Sequence, residues 1–133
     1  MSGKFSFTLD RDRGLVRISM HGFYELDDVT DFFEARRKAH AELGLPQGAH
    51  MTLNDLRGMR IQAQEVIQAF QAGLAVPEEK ARKLAIVVDA AMARGQANRA
   101  INSADTRYFT DIESAEAWLF ADEPAAGALQ HAG

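Results

Sequence analysis

The stretch KLAIVVDAAMARGQANRA, residues 83–100, decides the fold of this chain. Residues 84–88 are apolar without interruption, which is typical of a central strand in a parallel sheet, because such a strand is covered on both faces. The segment that follows, residues 90–101, predicts a helix despite Gly95. A buried strand that leads directly into a helix is the unit from which parallel α/β sheets are built.

The same order of strand and helix precedes this stretch. Residues 51–54 predict a strand, and the chain from about Gln64 predicts a helix whose apolar side chains recur at helical spacing. Further upstream, residues 25–44 predict a longer helix, with acidic side chains near its start and basic ones in its second half, that ends at Gly44.

Both ends of the chain add strands. Residues 5–9 and 16–20 alternate apolar and polar side chains, and the short connection ending in Gly14 predicts an antiparallel hairpin. After the predicted helix at 90–101, residues 106–109 predict a short last strand. It is followed by a helix that opens with Thr110 and Glu113 in a capping-box pattern.

The resulting order, β-β-α-β-α-β-α-β-α, predicts an α/β fold. One antiparallel N-terminal strand is followed by four β-α units that form a mostly parallel five-stranded sheet with helices. Three strands alternate instead of being apolar throughout, which suggests that helices cover one sheet face poorly. We expect Ser19, His21, Thr52 and Asn54 on that face, which is then either solvated or an association surface, such as the interface of a homodimer.

Composition sets further bounds. The 133 residues predict a single domain at 1–121 and a disordered Ala- and Gly-rich tail at 122–133. Fifteen basic and nineteen acidic side chains give a formal charge of −4, without the basic excess that nucleic-acid binding requires. No Cys is present, and no apolar run approaches the length of a signal peptide or a membrane span. We expect a cytoplasmic protein that does not insert into membranes.

Motifs for catalysis are lacking in the sequence. It contains no G-x-S-x-G elbow, no P-loop and no G-x-G-x-x-G, and the four histidines do not share metal-ligand spacing. Asp89 and Asp111 follow predicted strands and could contribute to a Mg²⁺ site, but capping of the next helix is the favoured interpretation. The sequence predicts no enzyme, no catalytic residue, no cofactor and no metal site.

The carboxyl ends of the predicted strands are the expected place for a binding site, because α/β proteins usually bind ligands there. His21 lies at one such end and is followed by Phe23 and Tyr24, two aromatics that could dock a partner or pack onto the first helix. Arg94 with Gln96, or Arg99 with Arg107, could flank an anion. The alternative is that Arg94 and Arg99 form ion pairs and cover the sheet with their stems.

Four stretches carry a resemblance to a known family: HGFYELDDVTDFFEA, LNDLRG, KLAIVVDAAMARGQANRA and RYFTDIESAEAWL. With the order of the elements, they resemble the STAS domains, which share a SpoIIAA-like fold. The chain from about Phe5 to Leu119 is most similar to small stand-alone bacterial STAS/SEC14-like proteins of undefined function.

The resemblance implies a regulatory role. Anti-sigma-factor antagonists of this family carry an Asp followed by a phosphorylated Ser, and Asp55 matches the Asp. Arg57 and Gly58 stand where the hydroxyl would be expected, so the phosphorylation switch is absent. The predicted function is a non-enzymatic module that contacts an unidentified protein partner. The alternative is a protein that binds a phosphate-bearing or lipid-like ligand at the same edge. Predicted binding residues are His21, Phe23, Tyr24, Asp55, Arg57, Arg94 and Arg99.

Overall fold

The computed structural model describes residues 4–90 and 105–121. Two predictions lie outside these residues. One is the helix at 90–101 from residue 91 onward, which would carry Arg94 and Arg99, and the other is the disordered tail at 122–133.

The described residues form five strands, three α-helices and one 3₁₀ turn. The strands are β1 (Phe5–Asp10), β2 (Leu15–Gly22), β3 (Met51–Met59), β4 (Lys83–Val87) and β5 (Thr106–Phe109). The helices are α1 (Leu26–Leu43), α2 (Gln64–Leu74) and α3 (Ile112–Leu119), and Pro77–Glu79 forms the 3₁₀ turn. Gly44 ends α1 in the left-handed conformation, at φ 74°, as its position in the sequence predicted.

The five strands form one sheet in the order β1-β2-β3-β4-β5. β1 runs antiparallel to β2, with Phe5 opposite Met20, and every other neighbouring pair is parallel. The predicted fold class is therefore confirmed: one antiparallel N-terminal strand is joined to a parallel sheet in an α/β architecture.

Two apolar clusters lie on the two faces of this sheet. On one face, side chains of β2 such as Val16 and Ile18 pack with Val29 and Phe32 of α1 and with Val66 of α2. On the opposite face, a second cluster joins the sheet to α3 through these residues: Leu15, Met51, Leu53, Ala85, Val87, Ala115 and Leu119. The sheet is thus the middle of three layers.

The expectation that four polar residues share one sheet face is wrong. The register places Val16 beside Thr52 and Ile18 beside Asn54, so Thr52 and Asn54 lie on the face covered by α1 and α2. Ser19 alternates with Ile18 along β2 and therefore points to the α3 face. Thr52 is 7% exposed, so it cannot contribute to a solvated surface.

The third strand is longer than predicted. The sequence placed its end at Asn54, but β3 continues to Met59. The register shifts by one residue, because Ser19 pairs with Asp55 whereas His21 pairs with Gly58. This is a β-bulge, a feature with an extra residue in one strand, and it explains why the polar, Gly-containing stretch remains in the sheet.

The start of α3 also differs from the prediction. The N-cap is Asp111, whose Oδ1 accepts a hydrogen bond of 2.7 Å from the backbone N–H of Ser114. The capping box predicted from Thr110 and Glu113 is therefore wrong, whereas the capping role favoured for Asp111 is confirmed.

Among the three described helices, none is both long and apolar enough to cross a membrane.

Candidate functional site

The carboxyl edge of the sheet contains five of the seven predicted binding residues. His21 is exposed at the end of β2, opposite Gly58 in β3. A Cβ atom added at Gly58 would lie 2.8 Å from the Cβ of His21, closer than side chains approach one another. The glycine of the bulge therefore allows the two strands to come together where the edge loops begin.

We expect Gly58→Ala to lower the free energy of unfolding by about 1–2 kcal/mol, because the added methyl group overpacks the contact with His21. Urea unfolding would measure this loss. In a His21→Gly background, where the opposing Cβ is missing, the same substitution should cost much less. An equal loss in both backgrounds would show that the close approach to His21 is not the cause.

Asp55 and Arg57 form a two-pronged ion pair along β3. Arg57 Nε donates to Asp55 Oδ1 and Arg57 Nη2 to Asp55 Oδ2, both at 2.9 Å. The backbone N–H of Arg57, within the bulge, donates to the same carboxylate at 3.1 Å. These hydrogen bonds lower the pKa of Asp55. The Asp55 carboxylate therefore stabilises the backbone of the bulge, and it also pairs with the guanidinium group of Arg57.

Two loops at this edge are joined by Gln62. Its side-chain Oε1 accepts a hydrogen bond of 2.8 Å from the backbone N–H of Tyr24, and its Nε2 donates to the carbonyl of Gly22 at 3.0 Å. The N–H of Arg60 donates to the same Gly22 carbonyl at 3.1 Å. Residues 22–24 and 60–62 are therefore fixed side by side.

The two adjacent aromatics of the first loop have opposite environments. Tyr24 is fully buried, stacks edge-on against Phe70, and donates its hydroxyl to the carbonyl of Lys4 at 2.7 Å. Burial raises the pKa of Tyr24. Phe23 is 47% exposed. Tyr24 therefore anchors the loop by packing into the core, whereas the side chain of Phe23 is partly exposed to solvent.

Two more exposed apolar side chains belong to the segments at this edge of the sheet. Leu26, at the start of α1, is 46% exposed, and Ile61, in the second loop, is 91% exposed. We call Phe23, Leu26 and Ile61 the edge patch. Sequence analysis missed Leu26 and Ile61, although an Ile between Arg60 and Gln62 in a loop was a detectable signal.

Acidic side chains lie next to the edge patch. A shallow depression is lined by Phe23, Leu26, Ala63 and Val66 together with the acidic residues Glu25, Asp27 and Glu65. All three carboxylates belong to exposed residues. The edge patch is therefore an apolar surface beside negative charge.

Arg94 and Arg99 lie outside the described residues, so their predicted role stays a prediction. Asp111 is at this edge but caps α3 through Ser114. Within residues 4–90 and 105–121, no group of three or more His, Asp or Glu side chains is arranged to hold a metal ion.

A second polar cluster, which we did not predict from the sequence, lies at the opposite end of the sheet. His40 Nδ1 is 2.5 Å from Glu79 Oε1, and the rings of His40 and His50 are 4.1 Å apart. Arg36, only 8% exposed, donates from Nη2 to the carbonyl of Gly73 at 3.1 Å. Burial lowers the pKa of His40, and it lowers that of His50 to about 4.

A signal for this cluster was present in the sequence. Arg36 follows Phe32 by four residues and Val29 by seven, and therefore lies in the apolar stripe of α1. A charged residue on a core-facing stripe indicates a buried polar partner or cavity. His50, directly before the apolar start of β3, is buried as well, at 5% exposure.

Comparisons with known proteins bear on the fold. No family model matches the chain, and no curated protein matches it. The chain is similar to the crystal structure of an uncharacterized protein from the DUF3478 family with a SpoIIAA-like fold, from Shewanella loihica PV-4. The TM-score is 0.64 at 15% identity, over 86% of this chain and 91% of that chain. The expected resemblance is thus confirmed at the level of the fold, and the chain has a SpoIIAA-like fold.

Proposed function

We propose that this chain is a non-enzymatic binding module of the STAS type that recognises a protein partner through the edge patch. One observation carries the proposal: Phe23, Leu26 and Ile61 are exposed on neighbouring segments that backbone and Gln62 hydrogen bonds fix in place. Large exposed apolar side chains on adjoining segments are typical of interaction sites.

The fixed geometry favours binding. Ordering of loops and side chains opposes association, and a surface that is already ordered avoids part of that free-energy cost. Tyr24 and Gln62 order the loop that carries Phe23 before any partner arrives. Aromatic and large aliphatic side chains on such a support are suited to act as anchors in a partner's pockets.

Charge near the edge patch defines the chemistry of the partner. Glu25, Asp27 and Glu65 surround the depression beside Phe23 and Leu26. Electrostatic complementarity favours a partner with positive charge at the corresponding positions. We therefore infer a protein segment that presents apolar side chains flanked by Lys or Arg.

The proposed module works without a serine switch. Leu56, Arg57 and Gly58 follow Asp55 and provide no hydroxyl for phosphorylation. The Asp55 carboxylate is instead bound by Arg57. Regulation through this position would have to act on the ion pair rather than on a phosphate ester.

The alternative function, binding of a phosphate-bearing or lipid-like ligand at the same edge, has less support. Arg57, a proposed anion contact, is paired with Asp55. The lining of the depression is acidic, which opposes the binding of an anion there. The protein-binding interpretation is therefore the one we propose.

Peptide display offers a direct test. Random peptides selected on the wild-type protein should be enriched in apolar residues flanked by Lys or Arg. The double variant Phe23→Ala/Ile61→Ser should bind the selected peptides about 30-fold more weakly, since loss of central anchors typically costs about 2 kcal/mol. Fluorescence anisotropy would measure the dissociation constants.

Val76→Ser is the matched control, because Val76 is also exposed, at 39%, but lies beyond the end of α2. We expect it to bind the peptides as the wild type does. Peptides that bind the double variant and the wild type equally would argue against the edge patch as the binding site.

A further inference from the structure

β1 is an outer strand of the sheet, because it pairs with β2 on one side and stands at the end of the strand order. Among residues 4–90 and 105–121, no strand pairs with its other side. β1 contains no proline, and its apolar side chains, those of Phe5, Phe7 and Leu9, are only partly buried. An open strand edge of this kind is a template for pairing with another chain.

The pairing of β1 with β2 determines which backbone groups point to the open edge. The N–H of His21 donates to the carbonyl of Lys4 at 2.9 Å, and the register along β1 has no shift. Hydrogen-bonded and non-hydrogen-bonded pairs alternate in an antiparallel ladder. The even-numbered residues of β1 therefore bond to β2, whereas Phe5, Phe7 and Leu9 direct their N–H and C=O groups away from it.

A second copy of β1 satisfies these outward groups in one symmetric register. If two β1 strands run antiparallel about a twofold axis at Phe7, Phe7 pairs with its own copy, and Phe5 pairs with Leu9 at both ends. The outward groups of all three residues then bond across the axis, and their side chains lie on one face of the joined sheet. With the axis at Ser6 or Thr8, Leu9 or Phe5 respectively would be left out.

α1 lies above β1 and runs in the same direction. Lys4 Nζ donates to Asp28 Oδ2 at 2.7 Å, and Arg11 Nη1 donates to the carbonyl of Glu42 at 2.7 Å. The path from Lys4 to Arg11 is roughly 23 Å along a strand, and that from Asp28 to Glu42 is roughly 21 Å along a helix, so the two elements stay side by side. Ala35, midway along this part of α1, therefore lies level with the middle of β1.

One flank of α1 faces the open edge. Phe32 points to the sheet, and Phe33 packs against Phe70 of α2 with ring centroids 5.9 Å apart. Since successive residues of a helix are 100° apart, the residue before Phe32 points away from α2. The flank opposite α2 carries these residues at helical spacing: Asp31, Ala35, Lys38 and Glu42.

This flank is complementary to itself in shape and charge. A twofold axis at Phe7 brings the two α1 helices together antiparallel near Ala35, whose small side chain permits a close approach. Asp31 lies one turn before Ala35 and Lys38 about one turn after it, so each Asp31 faces Lys38 of the second copy. Both side chains are exposed, and neither forms an ion pair with a described residue. Such reciprocal contacts are the mark of a twofold interface.

We propose that this chain forms a homodimer in which two β1 edges pair about Phe7 and two α1 helices meet at Ala35. The five strands of each copy then form one continuous sheet. Glu42 of one copy meets the ion pair between Lys4 and Asp28 of the other, where the ammonium group offsets the like charges. The interface is made of the outer strand and the outer flank of α1, whereas the edge patch belongs to the loops at the carboxyl ends of the strands.

Charge exchange on α1 tests the proposal with the full chain. Sedimentation velocity over a concentration series would give the dissociation constant of the wild-type dimer. Asp31→Lys and Lys38→Asp should each weaken dimerisation at least tenfold, because each places like charges opposite one another at two symmetric positions. The double variant Asp31→Lys/Lys38→Asp restores the opposite charges and should dimerise as the wild type does.

Glu34→Lys is the matched control. Glu34 is also exposed on α1, but it lines the groove between α1 and α2, and its replacement changes the net charge as Asp31→Lys does. We expect it to leave the dissociation constant unchanged. Phe23→Ala should also leave it unchanged, which separates this test from that of the edge patch.

Amide hydrogen exchange measured by NMR tests the register of the strands. In the wild-type dimer, the N–H groups of Phe5, Phe7 and Leu9 should be protected together with those of Ser6 and Thr8. In the monomeric Asp31→Lys variant, the three outward N–H groups should exchange at least tenfold faster, while the two that bond to β2 stay protected.

Several outcomes would overturn the proposal. The first is a wild-type protein that remains monomeric at millimolar concentration, and the second is a dimer that neither single variant weakens. Failure of the double variant to recover, or equal weakening by Glu34→Lys, would show that Asp31 does not face Lys38. Fast exchange of the outward N–H groups in the wild-type dimer would place the interface elsewhere, and this measurement decides alone if a variant fails to fold.

Discussion

Replacing Phe32 with alanine should lower the free energy of unfolding by about 3–5 kcal/mol, as expected for a large aromatic in a core that cannot fully collapse. Phe32 is 1% exposed. Its ring centroid lies 5.4–5.7 Å from those of Phe5, Phe7 and Phe70, and 5.0 Å from that of Phe33. The side chain therefore joins β1, α1 and α2, and its loss would loosen all three at once.

Equilibrium unfolding in urea would measure this effect, with an unchanged denaturant slope showing that the transition remains two-state. Phe23→Ala is the matched control, since the same atoms are removed from a side chain that is 47% exposed. We expect the control to change stability by less than about 1 kcal/mol. Similar losses for the two variants would contradict the assignment of Phe32 to the core.

Acidification from pH 7 to pH 5 should lower the free energy of unfolding by about 2 kcal/mol through His50 alone. Burial and the nearby His40 and Arg36 lower the pKa of His50 to about 4, whereas Glu79 acts in the opposite direction. The unfolded chain, with an ordinary His pKa of about 6.5, takes up a proton first. This contribution to stability is complete above pH ~6.5 and is lost as the pH falls towards 4.

His50→Gln isolates this effect, because glutamine does not titrate. Its stability should depend clearly less on pH between 7 and 5 than that of the wild type, as measured by urea unfolding at each pH. Asp28 and Asp55 have lowered pKa values, so their stabilising contributions are lost below this window, as the pH falls through and below about 4. Identical pH profiles for the variant and the wild type would show that His50 is not the titrating group.

Much of the fold could be predicted from the sequence, because its signals are local. Alternation in residues 5–9 and 16–20 and the apolar run at 84–88 each identify a strand without knowledge of its neighbours. The bulge in β3 could not be predicted in this way. It depends on the pairing of His21 with Gly58, which belong to different strands, and on the Asp55 carboxylate that satisfies the backbone N–H of Arg57.

The candidate sites were less predictable. The sequence pointed to the carboxyl edge and to Phe23 and Tyr24, but it could not show which of the two neighbours is buried, since that depends on Lys4 and Gln62 from distant segments. The mistaken grouping of Ser19 with Thr52 has a related cause. Each strand's alternation is visible in the sequence, but the register between strands is not.

The order of the strands in the sheet, which equals their order in the chain, has a consequence for how the protein is made. During synthesis, each new strand that emerges from the ribosome finds its only earlier neighbour already available, and no strand has to enter between two that are paired. Each pairing then closes a loop that contains no other strand, but the parallel pairs still join residues far apart in the chain, a feature that slows folding. The sheet can grow in one direction, from the N-terminal hairpin to β5, at the pace of translation.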